Sequence, residues 1–183
     1  MSSKQLSGVI TIILTFALLS YGQGNTFKKV RYNGGSIAST VKPDDWNNTL
    51  IVTSDKITFK FKDGVVKEID PKVVTGLSYG SEASRRTKTI IAMAVLLTPL
   101  ALFGLMHKNR KHFVGIEWKE EGDKKSGVLL QGDKDNYKGM LMALRGVTGA
   151  AVAVAASERK YVPTGVDVIV TEEEKENKKK DEK

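Results

Sequence analysis

The residues of this chain that are capable of chemistry are few, and their spacing does not suit catalysis. There are two histidines, His107 and His112, and no cysteine. Five positions apart, the two imidazoles fall on different faces of a helix. Both stand in a basic stretch, which suits surface roles better than a metal pair. Without cysteine there are no disulfides, no thiolate nucleophile and no thiolate zinc site. The run DKDNYKG at 133–139 opens like a calcium loop. It then places Tyr137 and Lys138 where an oxygen ligand and the turn glycine are required. Asp133 or Asp135 therefore reads as a helix cap. The carboxylate pairs Asp44–Asp45 and Glu120–Glu121 lie in turn sequence, where solvated side chains are the expectation. No phosphate-cradling glycine loop opens a helix, and no GxSxG elbow presents a serine. In ITFKFK the aromatics and the lysines alternate, so they occupy opposite faces of a strand. That describes a core strand with a wet side, not a stacking platform for single-stranded nucleic acid. The expectation is a non-enzymatic chain with no metal, no cofactor and no nucleic-acid partner.

Composition then bears on compartment. The chain has 183 residues, a formal net charge of +8 and a pI near 9.5. A basic balance favours anionic partners, phospholipid headgroups among them. Residues 1–24 combine Lys4, an apolar run from Val9 to Leu19, and the small residues Ser20, Gly22 and Gly24. This is the layout of a secretory signal peptide, and it predicts export to the cell envelope. An uncleaved N-terminal anchor is the alternative. At the other end, residues 171–183 form a charged tail that is expected to be disordered.

A second apolar run lies mid-chain. From Thr89 to Met106 eighteen residues carry no charge. Ile90, Ile91, Val95, Leu96, Leu97, Pro99, Leu100, Leu102, Phe103 and Leu105 form its candidate membrane surface. Arg85, Arg86 and Lys88 precede it, and Lys108, Arg110 and Lys111 follow, as candidate headgroup contacts. As a straight helix the run would be about 27 Å long, the lower limit for one crossing, and Pro99 near its middle favours a kink. Balanced flanking charge fits a hairpin dipping into one leaflet better than a single span. A hairpin buried against protein is the third reading. In that case the chain is a soluble periplasmic module that self-associates or binds another envelope protein.

The flanks of this insert read as β structure. Val30 and Tyr32, then Ile37 and Val41, suggest a hairpin about Gly34-Gly35. Ile57, Phe59 and Phe61 alternate with lysines, and Asp63-Gly64 is a hairpin turn. Strands are also expected at Val73 to Tyr79, around Val114, Ile116 and Trp118, at SGVLLQGD and in GVDVIV, while AAVAVAA reads as a late strand or an apolar linker. Tyr137, Met140, Leu141, Leu144 and Val147 keep helical spacing, with Gly146 or Gly149 as the stop. Neither half closes a core alone, so residues 25–170 are expected to form one domain interrupted by the insert.

From TLIVTSDKITFKF through KEIDPKVVTGLSYG and HFVGIEWK to GVLLQGDKDNYKGMLMALRGVTG, the sequence resembles a bacterial pleckstrin-homology-like (PH/GRAM-like) domain. It is also similar to a group of exported bacterial proteins that share the LFGL…HK and GVLLQGDKDNY stretches. The resemblance spans roughly residues 48–149. It implies a mainly β fold, a small barrel or bent antiparallel sheet closed by a C-terminal amphipathic helix.

Overall fold

The computed structural model describes residues 24–81 and 111–171. Nine strands are seen among them: β1 Asn25–Gly35, β2 Asn48–Val52, β3 Ile57–Lys60, β4 Val66–Ile69, β5 Val74–Ser81, β6 His112–Lys119, β7 Lys125–Gly132, β8 Val152–Ala155 and β9 Val168–Thr171. One helix, α1, spans Tyr137–Thr148. The expected signal segment, every apolar site position from Ile90 to Leu105, the basic positions Arg85, Arg86, Lys88, Lys108 and Arg110, and the charged tail beyond Thr171 lie outside the described residues.

The strands form one sheet in the order β4-β3-β2-β1-β7-β6-β5-β8-β9. The two halves do pair: β1 lies against β7, so strands before and after the insert share one sheet. The sheet is open, with β4 and β9 as its edges, and does not close into the small barrel that was one of the two expectations. The C-terminal part is parallel rather than antiparallel, since β8 pairs parallel with β5 and β9 parallel with β8. Helix α1 supplies the crossover that a parallel return needs.

Alternation decides which side chains meet. Val30, Leu50, Phe59, Leu77, Tyr79, Val114, Ile116, Trp118, Val128, Leu130, Val152 and Val154 face one side and join one buried cluster. The apolar stripe of α1 seals that side with Tyr137, Met140, Leu141 and Leu144. Each such side chain, fully buried, contributes roughly 1.5–3 kcal/mol, which offsets the entropy of fixing so short a helix. The helix stops where Gly149 takes a left-handed conformation and its N–H bonds to Arg145 O. Before it, Asp133 Oδ1 accepts the backbone N–H of Asp135 and of Asn136 at 3.0 and 2.8 Å. Its carboxylate thus shapes the turn into α1 but does not cap it: the N-cap position is Asn136, without a side-chain cap hydrogen bond, and not Asp133 or Asp135 as the sequence suggested.

The hairpin expected at Gly34-Gly35 does not form. β1 runs through both glycines to pair with Leu129 and Val128 of β7, and no strand follows at Ile37 to Val41. A Cβ on Gly35, where φ is +143°, would lie 2.2 Å from Gly127 O. This glycine therefore permits strand-to-strand approach and does not turn the chain. Ile37 still reaches the core, held by the Tyr32 hydroxyl, which donates to Ile37 O at 2.8 Å. Burial pushes the Tyr32 pKa up to about 12, so the phenol keeps its proton throughout the neutral range.

Lysines on the wet side of β3 and its neighbours make exposed ion pairs, Lys56 with Glu68 at 2.8 Å and Lys62 with Asp45 at 2.9 Å. Such pairs contribute about 0–1 kcal/mol each.

Candidate functional site

The chain leaves the described sheet at Ser81 and returns at Lys111. Ser81 and His112 are partners on the last antiparallel rung of β5 and β6, followed inward by Gly80 with Phe113 and Tyr79 with Val114. Both ends of segment 82–111 therefore spring from one point of one sheet. This root is where the structure concentrates its buried polar chemistry.

Tyr79, Ser81 and His112 project to the helix side of the sheet. Tyr79 Oη and His112 Nδ1 are 2.8 Å apart, the donor set by the imidazole tautomer. The first residue of α1, Tyr137, stacks on His112 with ring centroids 3.7 Å apart and planes 1° from parallel. Its hydroxyl donates to Tyr161 O at 3.2 Å, and burial pushes its pKa up. The helix comes this close because β7 ends in Gly132: a Cβ there would lie 3.0 Å from Tyr137 Cβ and from Met140 Sδ. Beside the stack, Ser81 Oγ donates to Glu158 Oε1 at 2.9 Å. Glu158 stands in the 3-10 turn Ala156–Tyr161 and is only 3% exposed, with Oε2 buried and unpartnered.

A serine, a histidine and a glutamate at one root invite comparison with a hydrolytic relay, but the bonding is wrong for one. The serine hydroxyl is held by the carboxylate, and His112 Nδ1 is engaged by Tyr79. A relay needs the imidazole on the serine and the acid on the imidazole. Ser81, His112 and Glu158 are 0%, 8% and 3% exposed, which leaves a substrate no approach. What this arrangement does is fasten: it ties β5, β6, α1 and the 156–161 turn together where the insert departs.

His112 is therefore a correction. The sequence placed it on a basic surface, whereas it is a buried, stacked member of the root. Lys111, half-buried at the root, is the headgroup candidate that the described residues include. The root residues Ser81 and Glu158 carried no sequence signal, for their meeting depends on the parallel return of β8. Among the described residues no helix is long and apolar enough to cross a membrane, and no group of three or more His, Asp or Glu is placed to hold a metal ion.

Among the described residues, fold and site together define a mainly β architecture, an open nine-stranded sheet with a sealing helix. No protein-family model matches the chain, and no curated protein does. Among solved structures, a chain of the Spt16D Pob3N heterodimer is similar at 8% identity and TM-score 0.39. That match covers 74% of this chain and 57% of the other, so this chain spans less than two thirds of its length. A likeness of that size is too slight to bear on function.

Proposed function

We propose that the chain is an exported, non-enzymatic binding or scaffold domain of pleckstrin-homology-like architecture, held at a membrane surface by its apolar insert. The observation that carries this is the Ser81–His112 rung. With both ends of the insert departing from one rung, a looped insert would set Arg85, Arg86 and Lys88 on the same side of a bilayer as Lys108, Arg110 and Lys111. A single crossing would part the two clusters and tear β5 from β6. A looped insert instead brings six cations to one headgroup layer, each contributing about 1 kcal/mol beside an anionic surface.

Vesicle flotation tests the reading. The full chain is expected to float with vesicles rich in phosphatidylserine and to lose affinity as salt rises. Neutralising Arg85, Arg86 and Lys88 to glutamine removes about 3 kcal/mol, so affinity is expected to fall on the order of 100-fold. A chain that stays with the soluble fraction at low salt would overturn the proposal.

A further inference from the structure

Among the described residues the sheet has two outer edges, and they are built differently. An open edge is a row of unpaired amides and carbonyls, which charge, proline or cover normally guards against pairing. β4 is guarded. Its Lys67 pairs with Glu120 at 3.2 Å and its Glu68 with Lys56 at 2.8 Å, and Pro71 follows it. β9 has no such guard, for its sequence VIVT holds no charge and no proline. Ile169 and Val170 are 58% and 49% exposed. They lie on opposite faces, since the register sets Ile169 beside Ala153 and Val170 beside the core residue Val154. The direction of the backbone groups also follows. Val152 N donates to Asp167 O at 2.9 Å. Alternate residues of a strand turn their amide and carbonyl to the same neighbour, so positions 167 and 169 face β8 while Val168 and Val170 turn both groups outward.

We propose that this edge pairs with β9 of a second copy of the chain, antiparallel about a two-fold axis through Ile169. One register satisfies what the edge leaves open. With Val168 opposite Val170 of the second copy, and Val170 opposite its Val168, every outward N–H meets an outward C=O. Ile169 then falls opposite itself, at a non-hydrogen-bonded position where Cα atoms lie about 4.5 Å apart. The valines carry the core side across the junction, and the two isoleucines cover each other on the far side. Charge agrees as well: Asp167, which pairs with Arg145, falls opposite the uncharged Thr171. Sliding the pair by two residues either way leaves Val168 or Val170 opposite a residue outside β9. The edge thus supplies its own complement, which is what an isologous contact requires and an arbitrary extended segment does not offer. Strands this short bury less than the roughly 1,200–2,000 Å² of a standard interface, so the association is weak and concentration-dependent. The pairing goes beyond the membrane reading and does not depend on it.

The chain has no cysteine, so an introduced thiol reports the register alone. Ile169→Cys changes an exposed side chain, and the full chain carrying it is oxidised over a range of concentrations. It is expected to form a covalent dimer, because the two on-axis Cα atoms lie within the roughly 4.4–6.8 Å that a disulfide spans. Val170→Cys alone is expected to give none, since its two copies sit diagonally at about 7–8 Å, whereas a mixture of Val168→Cys and Val170→Cys chains is expected to cross-link. Val66→Cys, 56% exposed on the guarded edge, is the control and should stay monomeric. Sedimentation of the parent chain should show its mass rising from one chain toward two with concentration. Ile169→Lys, which sets two cations face to face and removes the apolar contact, should weaken the dimer about tenfold or more. A monomeric Ile169→Cys at every concentration would overturn the proposal and leave the edge to an extended segment of another protein. Equal cross-linking of Ile169→Cys and Val66→Cys, or a dimer that Ile169→Lys leaves unchanged, would place self-association elsewhere and overturn it too.

Discussion

Replacing residues 82–111 with an Asn-Gly turn is expected to give a chain that folds and no longer floats with vesicles. It folds because Ser81 and His112 already face each other in register, and two residues in a type I′ turn join such a pair without splaying it. Every rung from Gly80–Phe113 inward is untouched, so far-ultraviolet circular dichroism should keep its β signature. The membrane contact goes because the apolar run and its cations are removed together. If the variant floats as completely as the parent, the membrane contact does not lie in the insert and the account is wrong.

Trp118→Ala is expected to be the most damaging single truncation on the helix side. The indole is 2% exposed, stacks with Phe59 at 6.4 Å between ring centroids, and donates from Nε1 to Glu120 Oε1 at 3.3 Å. Its removal forfeits transfer energy and leaves a void that a rigid sheet cannot close, about 3–5 kcal/mol in all. With an m-value near 2 kcal/mol per molar, the urea midpoint should drop by roughly 2 M. Val66→Ala, at an edge position 56% exposed, should stay within about 0.5 kcal/mol of the parent. Equal shifts from the two substitutions would refute the placement of the core.

The legible parts of this fold were those written in short-range periodicity. Ile57, Phe59 and Phe61 announced β3, Asp63-Gly64 its hairpin to β4, and the 3- and 4-residue spacing of Tyr137, Met140, Leu141 and Leu144 the helix. Those signals report what each residue does within its own element. Misreadings arose where the deciding partner was distant. Gly34-Gly35 looks like a turn until β7 is known to need Gly35 without a Cβ. His112 looks like part of a basic flank until Tyr79 and Tyr137 close around it. Glu158 carried no signal because the 156–161 turn reaches Ser81 only after a parallel crossover that alternation does not encode.

The central claim is that the insert is a loop rooted at one rung, with both basic flanks on the same side of a membrane. The most direct measurement is protease access on sealed membranes bearing the full chain, after a carbonate wash, with cleavage mapped before Thr89 and after Met106. The account predicts that the chain is retained and that both flanks are cut from one side and protected from the other. Cleavage of the two flanks from opposite sides, or complete release of the chain by carbonate, would contradict it.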